Sequence, residues 1–250
     1  MPSISEPVVL IHGLFGNLND PEILAPFEGI DVHTPDLIGY GRYRNEPIEN
    51  LTLRDQADHV AGHIRNIGRQ KVHLVGHSVG GAVSALVCQH YPDMIASFTS
   101  VEGNFTLKDA FWSGQIAQKP DAEVAEIIRE YEADPARWIA KAGVPVNDWT
   151  LSLAKGWLAN QPATTIKAQA RAVVAATGHD DYLSGLRATM EIGLPVYLVA
   201  GARSASGWDV ADWANDLCRM RVNIPRTGHL MMAENPALFA STILNCLSCA

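Results

Sequence analysis

A serine set between glycines is the first place where the residue types of this sequence suggest chemistry. Gly76-His77-Ser78-Val79-Gly80 has the form G-x-S-x-G, in which a tight turn from a strand into a helix presents the serine hydroxyl. The glycines matter because larger side chains would collide where the chain reverses. The helix that follows also directs free N–H groups at the site, where they stabilise negative charge. The pattern therefore predicts that Ser78 attacks a carbonyl carbon.

A serine nucleophile needs a base, and one of the nine histidines stands where a base is useful. His229 follows Thr227-Gly228 in a loop just after a late predicted strand, whereas His59, His63 and His90 fall within predicted helices. A neutral imidazole in that loop takes the serine proton and later delivers it to the leaving group. His229 is therefore a candidate for the general base.

The framework that must position these residues is visible as alternating strands and helices. Short apolar, β-branched runs predict six strands, at residues 7–11, 30–34, 71–76, 95–101, 195–200 and 220–224. Helical patterns follow several of them, at residues 52–68, 82–90, 210–217 and from Pro236, the first with Thr52 and Asp55 spaced as a capping box. Strand and helix in alternation predict right-handed crossovers and a parallel sheet. Between residues 103 and 193 the strand signal disappears, which indicates a helical insertion.

Taken together, these features resemble those of the α/β-hydrolase fold family over nearly the whole length of the sequence. His12-Gly13-Leu14-Phe15-Gly16 is similar to the oxyanion loop of that family, and residues 35–41 to its loop after the next strand. Gly228-His229 is similar to its catalytic-histidine turn, which implies that His229 is the general base. The resemblance implies an α/β fold with a sheet of about six strands, a core of residues 1–102 and 194–250, and a helical cap of residues 103–193. The antiparallel strands that commonly precede the first strand are missing, so we expect all six strands to be parallel.

The resemblance also implies which groups stabilise the developing oxyanion. In the family these are two backbone N–H groups, which map here to Leu14 and Val79, and such donors are typically worth several kcal/mol each. His12 and His77 are interpreted as hydrogen-bonded loop residues rather than catalysts.

The carboxylate that orients the histidine is the point at which the sequence departs from the family. Ser204 stands after strand 195–200, where the family most often has aspartate, and serine supplies no negative charge. Glu102 ends the strand after the nucleophile helix, where some relatives place their acid, and a carboxylate buried there needs a partner. Asp209 lies five positions beyond Ser204 and either turns back to His229 or caps a helix starting at Val210. Glu102 is the preferred acid and Asp209 the alternative.

The substrate is indicated only in outline. In the family this insertion forms a lid over the nucleophile, and here it is rich in aromatic residues, most of which we interpret as packing the lid. The residues nearest in sequence to the oxyanion loop or to the strand of Glu102 are predicted to contact substrate: Phe15, Asn104, Phe105 and Trp112. A lid over an apolar site suggests a small to medium, uncharged acyl substrate.

The composition of the chain limits the classes of binding partner that we expect. The chain has 250 residues, a formal charge of -8 and no basic cluster, so nucleic acid is not expected as a partner. No run approaches the roughly 18 apolar residues of a spanning helix, and no targeting segment is apparent, which predicts a cytoplasmic protein without membrane insertion, monomeric or homodimeric. Cys246 and Cys249 lack the context of a zinc or redox site. No metal or cofactor is expected.

The competing functions differ in how they use the same residues. A serine nucleophile argues against dehalogenase and epoxide hydrolase chemistry, because these need a carboxylate to form an alkyl ester. The sequence predicts a serine hydrolase acting on an ester, thioester, lactone or amide through an acyl-enzyme on Ser78. Two alternatives stay open: a carbon–carbon hydrolase or lyase with the same triad, and a ligand-sensing protein with little turnover, which Ser204 in the usual acid position would favour.

Overall fold

The strands of this protein, seen in a computed structural model that describes residues 4–249, form one six-stranded sheet. The strands are β1 (Val8–Ile11), β2 (Val32–His33), β3 (Val72–His77), β4 (Ile95–Val101), β5 (Val196–Gly201) and β6 (Met220–Ile224). Their order is β2-β1-β3-β4-β5-β6 and every neighbouring pair is parallel, which confirms the predicted sheet. The carboxyl ends of β1, β3, β4 and β5 therefore meet at one edge.

Helices cover both faces of this sheet. In the first half of the chain they are α1 (Pro21–Leu24), α2 (Leu53–Ile67) and α3 (Val79–His90). The insertion contributes α4 (Phe111–Gln118), α5 (Asp121–Ala133), α6 (Pro135–Lys141), α7 (Asp148–Ala159), α8 (Ala163–Thr177) and α9 (Asp180–Glu191). The chain continues with α10 (Asp212–Leu217), α11 (Met231–Glu234) and α12 (Pro236–Leu247). Residues 1–3 and 250, at the outer limits of the predicted core ranges, lie outside the described residues.

The side chains of β1 show how the two faces are packed. Val9 and Ile11 join a buried cluster with residues of α2, α3, α8 and α9, whereas Val8 and Leu10 join a second cluster with Phe239 and other residues of α12. This alternation follows from the two-residue period of a strand. Because α4, α5, α8 and α9 contribute to the first cluster, the insertion shares a hydrophobic core with the sheet.

Local signals explain where several elements begin and end. Thr52 and Asp55 form the expected capping box at the start of α2, and Gly68 ends that helix with a φ of 74°. Helix α3 begins at Val79, three residues earlier than its sequence pattern indicates, because it starts directly at the turn of Ser78. Among the helices of residues 4–249, none combines the length and the apolar character needed to cross a bilayer.

Candidate active site

Ser78 lies in a sharp turn between β3 and α3. Its φ of 55° and ψ of -123° place it in a region that side-chain-bearing residues rarely adopt. The flanking glycines are required sterically: a Cβ on Gly80 would lie 2.4 Å from the carbonyl oxygen of His12, and one on Gly76 would lie 2.4 Å from the carbonyl oxygen of Gly80. The Ser78 N–H donates to the carbonyl of Val101 at 3.0 Å, which ties the turn to the end of β4.

Glu102 follows β4 at the same edge of the sheet and contacts His229. The Nδ1 atom of His229 lies 2.7 Å from Glu102 Oε2, and the Glu102 side chain is 5% exposed. Glu102 Oε1 accepts hydrogen bonds from the Gly201 N–H at 2.8 Å and from the Ser204 hydroxyl. Burial alone would raise the pKa of Glu102, but the interactions with His229, Ser204 and Gly201 outweigh burial and lower it. Glu102 is therefore a charged partner for an imidazolium.

Ser204 stands at the position where the sequence lacks the expected aspartate. Its hydroxyl donates to Glu102 Oε1, so the serine supports the carboxylate that comes from the neighbouring strand end. This arrangement is possible because β4 and β5 are adjacent and parallel, which brings Glu102 and the loop after β5 together. Nothing in the sequence spacing, 102 residues apart, signals this contact.

Asp209, the alternative acid, has other partners. Its Oδ2 accepts from the Thr106 hydroxyl at 2.7 Å, and its Oδ1 lies 3.3 Å from Lys108 Nζ. The suggestion that it caps a helix at Val210 is wrong, because α10 begins only at Asp212 and its N-cap residue is Ala211. Asp209 instead connects its loop to residues 105–109, through its side chain and through its N–H, which donates to Asp109.

The loop of His229 is held from several sides. Its backbone carbonyl accepts from His77 Nε2 at 2.9 Å, and the rings of these two histidines lie 4.6 Å apart. Glu234 accepts from the Gly228 N–H at 2.8 Å and pairs with Arg203 at 2.6 Å. Arg203 and Glu234 belong to no motif, so the sequence alone indicates neither of them. His77 behaves as the expected loop residue, and burial, followed by the neighbouring His229, strongly lowers its pKa and keeps it neutral.

The two N–H groups predicted to form the oxyanion hole are those of Leu14 and Val79. Within residues 4–249, neither the Leu14 N–H nor the Val79 N–H has a hydrogen-bond acceptor. The Gly13 carbonyl, which shares a planar peptide group with the Leu14 N–H, accepts from His12 Nδ1 at 2.8 Å. His12 Nε2 in turn accepts from the Leu37 N–H, and burial lowers the pKa of His12 to about 4, so this ring is neutral.

The four residues predicted to contact substrate occupy two environments. Phe15 packs against Trp112, with ring centroids 5.1 Å apart, and both are half-buried. Phe105 is 2% exposed and packs against Trp208. The backbone N–H of Asn104 donates to the Ser78 carbonyl at 3.2 Å, and its buried Oδ1 has no hydrogen-bond partner within residues 4–249. Direct contact with substrate stays a prediction for all four.

Two further features lie apart from this arrangement. A groove of about 1230 Å³ is lined by Leu86, Arg171 and Tyr182 among others, and it contains neither Ser78 nor His229. In the described part of the chain, no group of three histidine, cysteine or acidic side chains is arranged to hold a metal ion. Cys246 is buried and Cys249 exposed, and both are free.

Comparison with known proteins identifies similar sequences and folds. The sequence matches the model of the Alpha/beta hydrolase family over residues 8–242. It is 34% identical over 97 residues to Ethanol acetyltransferase 1 of Eremothecium cymbalariae, covering 37% of this chain and 26% of that protein. It is 31% identical over 127 residues to Lipase 3 of Moraxella sp., covering 48% and 38% respectively. The alignments thus span about a quarter to two fifths of these relatives' length.

The fold extends the similarity to the whole chain. A solved carboxylesterase structure from Nitrososphaera gargenis superposes with a TM-score of 0.75 and covers 100% of this chain and 92% of that one. Its sequence identity is 18%, so this likeness concerns the fold.

Proposed function

The chain belongs to the alpha/beta hydrolase family, and from this premise we propose that it is a serine hydrolase that cleaves a carboxylic ester, thioester, lactone or amide. One observation carries the proposal: His229 Nδ1 lies 2.7 Å from the buried carboxylate of Glu102, at the sheet edge that also holds Ser78. A carboxylate on Nδ1 fixes the tautomer in which Nε2 is unprotonated and able to accept a proton. That is the state a serine nucleophile requires.

The reaction proceeds in two acyl transfers. As the Ser78 oxygen forms a bond to the carbonyl carbon, His229 Nε2 takes the serine proton, and the carbonyl oxygen becomes an oxyanion facing the Leu14 and Val79 N–H groups. The intermediate collapses, the leaving group departs with the proton from His229, and an acyl-enzyme remains. Water then attacks the acyl carbon as His229 takes its proton and returns it to Ser78, which releases the carboxylic acid.

The substrate class follows from the side chains around this edge. We assign α4–α9 the role of a cap, whose Trp112, Tyr131 and Trp138 surround Phe15 with ring centroids 5.1 to 6.3 Å from it. These half-buried rings favour an apolar group on the substrate. A small to medium, mainly apolar acyl substrate fits this environment.

The decisive test is covalent labelling of Ser78 by a fluorophosphonate, together with turnover of a panel of acyl esters, thioesters and lactones. We expect labelling and turnover in the wild type, and in Ser78→Ala neither labelling nor more than about 10⁻⁴ of the wild-type rate, because triad residues act as a unit. Circular dichroism and the melting temperature check that the variant is folded. Tight binding of esters without turnover or labelling in the wild type would instead support the ligand-sensing alternative.

Acyl transfer to an alcohol is a second candidate, favoured by the alignment with Ethanol acetyltransferase 1. The acyl-enzyme is common to both reactions, and only the nucleophile that resolves it differs. Adding ethanol to an acyl ester assay distinguishes them by product. If more ethyl ester than free acid is formed at millimolar ethanol, acyl transfer is favoured over hydrolysis as the function.

A further inference from the structure

Two consecutive side chains of the helical insertion reach the oxyanion loop, residues 12–16. Gln161, in the turn between α7 and α8, is 2% exposed, and its Oε1 accepts from the Gly16 N–H at 3.0 Å. Asn160 Nδ2 donates to the Gly16 carbonyl at 3.0 Å. Both backbone polar groups of Gly16 are therefore bound by the insertion.

Both amides are themselves held in these orientations. Gln161 Nε2 donates to the carbonyl of Trp157 at 2.9 Å, so its oxygen must face Gly16. Asn160 Oδ1 accepts from Asn17 Nδ2 at 3.3 Å, so its nitrogen must face Gly16. The backbone carbonyl of Asn160 also accepts from the Gly41 N–H at 2.9 Å, which ties the same residue to the loop after β2.

The contact between loop and insertion is also steric. Gly16 has a φ of 72°, and a Cβ on it would lie 2.2 Å from Cγ of the Trp157 side chain. Only glycine fits, because the backbone lies directly against the indole. The loop is thus packed and hydrogen-bonded against α7 at the same residue.

Two further hydrogen bonds hold this loop nearer its start. His12 holds the Gly13 carbonyl, and the Tyr40 hydroxyl donates to the Leu14 carbonyl at 2.8 Å. We infer that Asn160 and Gln161 are positioning residues, which hold the loop from the opposite end so that the Leu14 N–H stays directed at the oxyanion. The inference rests on the proposed function. It means that the insertion increases the rate of reaction by positioning the oxyanion loop, in addition to covering the site.

The test replaces Gln161 by methionine, a residue of similar length that lacks the amide group. In Gln161→Met, kcat should fall about 10- to 100-fold, because small displacements of a catalytic donor have effects of this size. The KM of the substrate should change less than about threefold, since the donor acts mainly in the transition state. Affinity for a trifluoromethyl ketone, which forms a tetrahedral oxyanion adduct with the serine, should fall by the same factor as kcat.

Gln169→Met is the matched control. Gln169 is also buried, also lies in the insertion, and accepts from Gln56 Nε2 at 2.8 Å, but within residues 4–249 it makes no hydrogen bond to the oxyanion loop. Its kcat and ketone affinity should stay within about twofold of the wild type, whatever its effect on the melting temperature. Equal losses of kcat and ketone affinity in both variants would overturn the inference.

A second variant tests the same inference if Gln161→Met does not fold. Asn160→Asp keeps the oxygen that accepts from Asn17 and removes the donor to the Gly16 carbonyl. We expect a loss of kcat and of ketone affinity of about 3- to 10-fold, and unchanged values would count against the inference. Failure of the proposed function has a different signature, in which the wild type itself reacts with neither the fluorophosphonate nor the ketone.

Discussion

Ser78 and Glu102 both have a positive φ, which is unusual for residues with a side chain, with values of 55° and 41°. Such positions cost on the order of 1–3 kcal/mol each and persist only where the surroundings hold them. Here each residue is held by the adjacent strand, since the Ser78 N–H donates to Val101 and the Glu102 N–H donates to Val199. These two strained positions directly follow β3 and β4, and their side chains belong to the candidate site.

The identity of the acid is tested by a pair of isosteric substitutions. Glu102→Gln removes the charge that stabilises the imidazolium, so kcat should fall about 10³- to 10⁴-fold. Asp209→Asn should change kcat less than about threefold, because Asp209 binds Thr106 and Lys108 instead. Steady-state kinetics of both variants on one ester is sufficient. The reverse pattern would transfer the role to Asp209.

Ser204 should act through Glu102. Ser204→Ala removes one hydrogen bond to the buried carboxylate, and we expect kcat to fall about 3- to 10-fold with KM nearly unchanged. A hydrogen bond to a charged group is worth about 1.5–3 kcal/mol in protein stability, and only part of this free energy contributes to stabilising the transition state. Ser204→Thr keeps the hydroxyl and should restore most of the loss. If threonine and alanine behave alike, the hydroxyl has no role.

At the scale of elements, the loops after β5 and β6 support each other around His229. Arg203 follows β5, Glu234 ends α11, and their side chains pair at 2.6 Å while Glu234 also binds the Gly228 N–H. The Glu234 side chain is 5% exposed, whereas that of Arg203 is 47% exposed. The Glu234 carboxylate is thus the buried partner of this ion pair. Its hydrogen bond to the Gly228 N–H therefore contributes more to stability than the half-exposed ion pair does.

Replacing Glu234 by alanine should destabilise the protein by about 1–3 kcal/mol, because the Gly228 N–H loses its acceptor in a buried turn. Activity should fall as well, since Gly228 precedes His229. Urea unfolding and ester kinetics measure the two effects. Glu49→Ala is the control, as Glu49 is exposed and has no hydrogen bond or ion pair within residues 4–249. Equal behaviour of the two variants would contradict this role.

At the scale of the whole molecule, three buried histidines make stability depend on pH. Burial lowers the pKa of His12, His73 and His77 below the ordinary value of 6.5. Below that value the unfolded chain binds protons that the folded chain does not, so the free energy of unfolding falls as the pH decreases. The effect vanishes well above pH 6.5, sets in as the pH passes through 6.5, and grows toward pH 4, the value near which His12 itself becomes protonated.

We expect the free energy of unfolding to fall by up to about 1.4 kcal/mol per pH unit for each such histidine. His73 offers a clean test, because it lies at the start of β3 and bonds Ser97 rather than a residue of the candidate site. In His73→Gln, urea unfolding between pH 7 and pH 5 should show a shallower loss of stability than in the wild type. An unchanged slope would show that His73 titrates normally in the folded state.

Local sequence determined most of the helices and strands and the sharp turn at Ser78. The position of Ser78 follows from small residues between a strand and a helix, and α2 follows from its capping box and Gly68. These signals are readable because each depends on residues a few positions apart, whose sterics and hydrogen bonds are the same in any protein. The parallel sheet follows from the alternation of strand and helix, which confirms that prediction.

Only the tertiary structure decided which distant residues meet. Glu102 and Asp209 were both available as partners of His229, and the choice depended on β4 lying beside β5, which no local pattern encodes. The support of Glu102 by Ser204 and of Gly16 by Asn160 and Gln161 joins residues 102 to 145 positions apart. Such contacts depend on strand order and on how the insertion packs, and the polar side chains that make them resemble ordinary turn residues until their partners are seen.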